Sequence, residues 1–377
     1  MSIPCAELSD SDGETVSVTH DKCIEYCVKL VPKHLGLASE QYKSTDSKAP
    51  DSDRNALKVD QVFGGITNSL YKVTNTSNGK SVLVRIFGSH TSRIIDRTRE
   101  RYICELLSKF QISKSVYCYF KEGQIEEWIE GRNLTHNDLV NSTYLVKIAQ
   151  NLKKLHSISI DGDMSRLING GSDVPRSCLW STLWNYYKLC QRYVGKTRLK
   201  DSEIDFEELE KKITALEKVC NAVKSPLVLC HCDLLSGNII LLPDGNVRFI
   251  DFEYSCCMER AYDIANHFNE YMGFTGDFAL IPDLDTQKRF IREYLKFDVT
   301  ELRPGLEGFC GFNQVSHSED AVDDLLREIQ PFFMASHIVW GIWSLLQSSF
   351  SNVEFDFLRY AKKRIGYFMN SSFWEQL

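Results

Sequence analysis

The chain contains no apolar run of the ~20 residues needed to span a bilayer. Its richest stretch, IVWGIWSLL at 338–346, is about half that long. The first twenty residues have no basic segment followed by an apolar one, so no secretory signal is expected there. Positive charge is not in excess: 44 Lys and Arg stand against 51 Asp and Glu, a net charge of -7, which argues against a nucleic-acid partner. No internal repeat occurs. The 13 cysteines are odd in number and scattered, with no zinc-type spacing between pairs. Without a secretory signal they read as reduced thiols of a cytoplasmic protein. Cys230, His231 and Cys232 are adjacent, but three consecutive residues do not easily converge on one ion.

What is present divides unevenly along the chain. At about 100–200 residues per domain, 377 residues suggest two domains or one bilobed unit. Residues 1–20 are acidic and polar and read as a disordered tail. Helical spacing over 22–35 is interrupted by Pro32. Residues 38–55, rich in Ser, Asp and Lys, predict a mobile loop. Strand-like segments follow at 56–73 and 81–87, joined through the Asn-Gly-containing turn TNTSNGK at 74–80. A helix over 94–110 and short strands at 116–120 and 124–129 complete a β-rich N-terminal lobe over 21–130. From 131 to 377 helices dominate, at 138–156, 179–193, 205–222, 321–350 and 355–368, with one β-rich interruption at 227–252. The fold class expected is α+β and bilobed, a β-rich part followed by a larger helical one, with a ligand cleft at the join near 128–134.

The β-rich interruption carries the chemistry. In LCHCDLLSGNIILLPDGNVRFIDFE, Asn238 follows Asp233 by five positions and Asp251 follows Asn238 by thirteen. NIILL and VRFID flank a Pro-Asp-Gly-Asn turn, which predicts a hairpin with Asn238 and Asp251 at adjacent strand ends. Asp233 sits in the loop before it. Phosphoryl transfer needs positioning and charge neutralisation more than covalent chemistry. A carboxylate such as Asp233 can take the nucleophile's hydroxyl proton. An amide oxygen and a second carboxylate, Asn238 and Asp251, suit Mg2+. The spacing matches the kinase pattern H-x-D-x-x-x-x-N followed by D-F-G. Cys232 and Glu253 stand where that pattern has Arg and Gly.

The N-terminal half offers complementary parts. Gly64, Gly65, Thr67 and Asn68 lie in a strand-turn-strand whose N–H groups and small side chains could cradle phosphates, although a full G-x-G-x-x-G is lacking. Arg85 lies mid-strand in VLVRIF, where a kinase places its phosphate-binding lysine. If it points inward it requires a carboxylate partner, with Glu100 the candidate and Asp96 and Glu105 its rivals; otherwise it is an edge-strand surface charge. The backbone from Glu127 to Gly131, Ile129 at its centre, is the candidate hinge for an adenine edge.

HCDLLSGNII, FIDFEY, AYDIANHFNEY, SHIVWGIWSLLQ and EFDFLRYAKKR together resemble the choline/ethanolamine kinase family, over 22–368. The first motif is shared with aminoglycoside phosphotransferases; DIANHFNEY and the Trp-rich segment are more specific. The resemblance implies a bilobed protein-kinase-like fold whose N-terminal lobe, 21–130, binds ATP, with ATP and Mg2+ as cofactors, and phosphorylation of an amino alcohol for phospholipid synthesis. By position it makes Asp233 the base, Asn238 and Asp251 the metal ligands, and Thr67, Asn68 and Arg85 the phosphate contacts. It places Glu270 beside the acceptor.

Trp340 and Trp343 share a helix face, and a quaternary ammonium is held by such rings rather than by hydrogen bonds. Tyr254, Tyr360 and Phe355 could add walls. Each of these aromatics could instead be plain core, and Gly341 between the tryptophans would let another element approach. The acceptor favoured is choline, with ethanolamine turnover alongside; EFDFLRYA leans slightly toward ethanolamine kinases. An aminoglycoside-type kinase and a catalytically dead scaffold are the alternatives, and the absence of an A-P-E segment speaks against a protein kinase. A homodimer is left open. His231 and Asp263 read as braces of the catalytic loop, Cys256 and Cys257 as buried thiols, and Lys362, Lys363 and Arg364 as a solvated helix face.

Overall fold

The computed structural model describes residues 20–37, 51–62, 68–88, 95–160, 166–168, 172–195, 202–299, 315–351 and 353–376. The chain separates into two compact units, divided between Glu130 and Gly131.

The first unit is built on a five-stranded antiparallel sheet of order β1-β2-β3-β5-β4. Its strands are β1 (Leu57–Val62), β2 (Asn68–Asn75), β3 (Ser81–Phe87), β4 (Val116–Phe120) and β5 (Gly123–Glu127). The β2–β3 turn closes tightly because Gly79 takes a left-handed φ of +74° at no steric cost. Helix α1 (His20–Leu30) buries Cys23, Cys27 and Val28 against Val73, Val82, Val84 and Ile125 of the sheet. It stops before Pro32, as the missing N–H and the ring demand. Helix α3 (Arg97–Lys109) starts where the Asp96 carboxylate accepts the N–H groups of Thr98 and Arg99. Strand β3 is covered on both faces, so its five central residues, Arg85 among them, are all buried. Part of the segment read as a loop is ordered differently: Asp51–Asn55 form a helical turn, α2.

The second unit is mainly helical. After β6 (Arg132–Asn133) the expected single helix over 138–156 is two, α4 (His136–Leu139) and α5 (Ser142–His156). The break has a local cause. Asp138 closes a capping box with Thr135, while Asn141 caps α5 through the N–H of Thr143. Helices α6 (Leu179–Tyr193) and α7 (Phe206–Val223, capped by Asp205) follow. The β-rich interruption then splits between two small sheets. Strand β7 (Leu227–Cys230) pairs with β10 (Cys256–Glu259), and β8 (Ile239–Leu241) forms the predicted hairpin with β9 (Val247–Phe249). Helices α8 (Arg260–Asn269), α9 (Leu284–Lys296), α10 (Glu319–Phe350) and α11 (Phe357–Asn370) complete the unit.

Helix α10 is long and apolar enough, by length and composition, to cross a membrane, although its uninterrupted apolar run is short. Its apolar window is buried inside the unit, which makes it the core helix of this fold. It packs on α6, α8, α9 and α11. Gly341 permits the closest of these approaches: a Cβ there would fall 2.6 Å from Ile365 Cγ1 and 3.3 Å from Arg364 Cβ. We expect Gly341→Val to push α11 away and cost about 3 kcal/mol, the upper range of overpacking penalties, read as a lower urea midpoint by circular dichroism.

Candidate active site

In the first unit, Gly64, Gly65 and Thr67 lie outside the described residues. Asn68 opens β2, and its side-chain oxygen accepts from Arg97 at 3.4 Å. Arg85 is buried and ion-paired. Of the three candidate carboxylates Glu100 reaches it, at 3.0 Å, whereas Asp96 is spent as a helix cap and Glu105 pairs with Arg101. A second carboxylate was not anticipated: Glu126, fully buried, lies 3.9 Å from Arg85 and is held by Lys114 and by the Gln124 amide. Arg97 grips the other oxygen of Glu100 at 2.6 Å. Each buried charge thus has an opposite partner, the condition under which buried ions are tolerated. Glu127 is the last residue of β5, and its N–H is donated to the Ser115 carbonyl; Ile129 is buried.

In the second unit the loop from His231 to Asn238 is held from behind by α8. Cys232 has a φ of +67°, a region L-residues rarely occupy and that costs about 1–3 kcal/mol. Both flanking amides are compensated by one side chain. Asp263 accepts the His231 N–H at 2.7 Å on one oxygen and the Cys232 N–H at 2.8 Å on the other. Asn266 donates to the Cys232 carbonyl at 3.0 Å, and His267 Nδ1 donates to that of Leu234 at 2.8 Å. Burial alone would push the Asp263 carboxyl up, but hydrogen bonding from His156 and the His231 amide outweighs it, so it stays below its usual value and ionised. Behind it, His156 is neutral because burial lowers its pKa. Its Nε2–H donates to Asp263 at 3.0 Å, while Nδ1 accepts from the Tyr294 hydroxyl at 2.9 Å.

His231 is likewise neutral through burial. Its Nε2–H donates to the Ile250 carbonyl at 3.0 Å, leaving Nδ1 to accept the Asp233 N–H at 3.3 Å. Both nitrogens are therefore engaged in bracing the loop. Asn238 gives its amide N–H groups to the Asp233 carbonyl (2.8 Å) and to Asp233 Oδ2 (3.0 Å). Its Oδ1 takes no part in these two bonds. Asp251 follows β9 with a second left-handed φ, also +67°. Asp233 has a pKa well above the normal carboxylate range, first through burial and then through the negative charges of Glu270, Asp251 and Glu253. An amide oxygen and a carboxylate, those of Asn238 and Asp251, are hard donors of the kind that suits Mg2+.

Tyr254, Trp340 and Trp343 form three mutually edge-on rings, with centroids 5.1 Å (Tyr254–Trp340), 6.2 Å (Tyr254–Trp343) and 5.2 Å (Trp340–Trp343) apart. Both indole N–H groups are already used, by Asn266 Oδ1 at 2.8 Å and by the Tyr254 hydroxyl at 3.0 Å. What the box can offer a ligand is ring face, which suits a cation. Tyr360 and Glu270 meet on one side chain, Arg364, which donates to each at 3.2 Å. Phe355 stacks edge-on against Tyr360 at 5.7 Å.

Arg364 corrects the reading of 362–364 as a solvated face. Lys362 and Lys363 are partly accessible, but Arg364 is fully buried. Nothing in KKR distinguishes the third residue; only the helical phase relative to Tyr360 could have suggested it. The described cysteines are free thiols, Cys256 and Cys257 buried among them. His156, Cys230 and Asp263 converge closely enough to hold a metal. His156 and Asp263 are committed to each other, Asp263 also to loop amides, and the Cys230 thiol, raised by burial, donates to the Met258 and Glu259 carbonyls, so the cluster is a brace.

With this geometry in place, comparison with known proteins defines the class. The fold is the protein-kinase-like one, a β-rich unit followed by a mainly helical unit. Residues 59–369 match the choline/ethanolamine kinase family profile. Human ethanolamine kinase 1 is 34% identical over 321 residues, covering 83% of this chain and 67% of that protein. A Plasmodium vivax ethanolamine kinase structure shares 35% identity with a TM-score of 0.77, covering 94% of this chain and 90% of the other. A Cryptosporidium parvum choline kinase structure shares 26% identity with a TM-score of 0.68, covering 94% and 96%. The chain belongs to the choline/ethanolamine kinase family, whose members are ATP-dependent kinases of a small alcohol.

We expect Asp263→Asn to set an amide N–H against an N–H donor and to remove a charged acceptor from two amides. The loss should be about 3 kcal/mol, measured by urea denaturation, since hydrogen bonds to charged groups are worth roughly that much.

Proposed function

We propose that this protein transfers the γ-phosphoryl group of ATP to the hydroxyl of ethanolamine, with choline as a second acceptor. One observation carries the reading. Asp233, its pKa raised by burial and by Glu270, is held by Asn238 in the same unit as a three-ring box whose indole donors are used up. A base with a raised pKa works closer to neutral pH, where both its ionised form and its proton affinity are useful.

In this reading Asp233 orients the acceptor hydroxyl and takes its proton. Asn238 and Asp251 hold Mg2+, which neutralises phosphate charge when bound. In the first unit Arg85, fixed by Glu100, and Asn68 with Gly64, Gly65 and Thr67 contact the phosphates, and the backbone of Glu127 and Ile129 meets the adenine. Tyr254, Trp340, Trp343 and Tyr360 enclose the ammonium group, and Glu270 offers it a carboxylate oxygen.

The residues alone favour choline, and the ring box supports it as a second acceptor. Two points support ethanolamine first. The human and Plasmodium relatives are named ethanolamine kinases. Glu270 Oε1 is bonded to Arg364, whereas Oε2 has no hydrogen bond among the described residues and can accept from a primary ammonium.

Steady-state assays with MgATP should give a higher kcat/KM for ethanolamine than for choline; the reverse order would make choline the acceptor. Asp233→Asn should lower kcat by about 10²–10⁴-fold, the range for losing a general base, with nucleotide affinity within about twofold by calorimetry. Trp343→Ala should raise the KM for choline roughly 5–30-fold, the equivalent of one desolvated cation–π contact, without changing the KM for ATP.

A further inference from the structure

Arg364 lies one helical turn after Tyr360 on α11, and its side chain has no solvent exposure. A guanidinium in that position must place its donors within the protein. One terminal nitrogen donates to Glu270 Oε1 and to the Tyr360 hydroxyl, both at 3.2 Å. The other donates to the carbonyl and the hydroxyl of Ser336, again at 3.2 Å each. Ser336 in turn donates to Asn266 Oδ1 at 2.8 Å, the same atom that accepts from Trp340. Arg364 is therefore anchored to the core helix and to the support of the ring box. Gly341 supplies the room, because any side chain there would meet Arg364 Cβ and Ile365.

The consequence falls on Glu270. As a unit the Glu270–Arg364 pair is neutral, so it does not select a ligand by net charge. It selects by direction: one oxygen is bound and the other open. A primary ammonium can donate an N–H to the open oxygen, and a quaternary ammonium has none to donate. The ring faces of Tyr254, Trp340 and Trp343 accept either cation.

Building on the amino-alcohol kinase reading above, we propose that Arg364 is a specificity-determining positioning residue. By holding Glu270 Oε1, it makes Oε2 the acceptor for a substrate N–H and sets the preference for primary over quaternary amino alcohols.

The test compares Arg364→Lys and Ser336→Ala with the wild-type full chain, using ethanolamine and choline in turn. Lysine keeps the charge and is tolerated better than a neutral residue, but it cannot make the forked contacts. Arg364→Lys should raise the KM for ethanolamine about tenfold or more, as loss of a charge-assisted hydrogen bond implies, and that for choline less than about threefold, with kcat changed little. Ser336→Ala should shift the same ratio in the same direction by less. Equal shifts for the two substrates, as a purely structural role would give, overturn the proposal. Tryptophan-fluorescence titration of both amines without ATP separates the two readings. Selective binding of ethanolamine that Arg364→Lys abolishes, in a protein with no turnover, would sink the proposed activity and leave this inference standing. Wild-type protein that binds neither amine overturns the inference.

Discussion

One carboxylate holds the site together. Asp263 satisfies two consecutive loop amides at the point where Cys232 is forced into a left-handed conformation. Without that acceptor the strained turn would leave two N–H groups without partners in a buried setting, and the chain would find a cheaper path. The carboxylate stays charged because a neutral imidazole donates to it from behind, and that imidazole is itself fixed by a tyrosine hydroxyl. The strain is offset by charge-assisted hydrogen bonds, which are stronger than the neutral bonds of ordinary loops.

The same helix extends this control to the rest of the site. Asp263, Asn266, His267 and Glu270 recur at helical spacing and form one polar stripe along α8 and its C-terminal turn. Asp263, Asn266 and His267 hold successive groups of the loop that carries Asp233; Glu270 acts on Asp233 through its charge. Asn266 does double duty, because its oxygen also receives Trp340 and Ser336. The loop that presents Asp233 and the rings proposed to hold the acceptor are therefore registered against one side chain. Small displacements of α8 would disturb both together, which is a reason for burying a polar helix face at all.

Local pattern made much of this legible. The Asp233–Asn238–Asp251 spacing and the hairpin between the last two follow from turn residues and short intervals; the bracing roles of His231 and Asp263 were legible only as the ordinary readings of a buried histidine and aspartate. The strands and most helices follow from periodicity. Less legible were features that depend on which residue of a similar set turns inward. Arg364 looks like its lysine neighbours, and its helical phase alone separates it from them. Glu126 and Lys114 look like ordinary strand and loop charges until the sheet brings them to Arg85. The division of the 138–156 segment turned on a capping box that periodicity overlooks.

The sequence by itself determined the fold class, the family and the identity of the polar groups in the catalytic loop, because those are carried by short-range order: alternation, helical phase, turn chemistry and motif spacing. Only the tertiary structure decided which charges pair, which oxygen of Glu270 is bound, and that the indole N–H groups of both tryptophans are spent within the protein. Those are long-range facts. They depend on how α8, α10 and α11 pack, and on a glycine that lets two helices approach closely enough for one arginine to be buried between them.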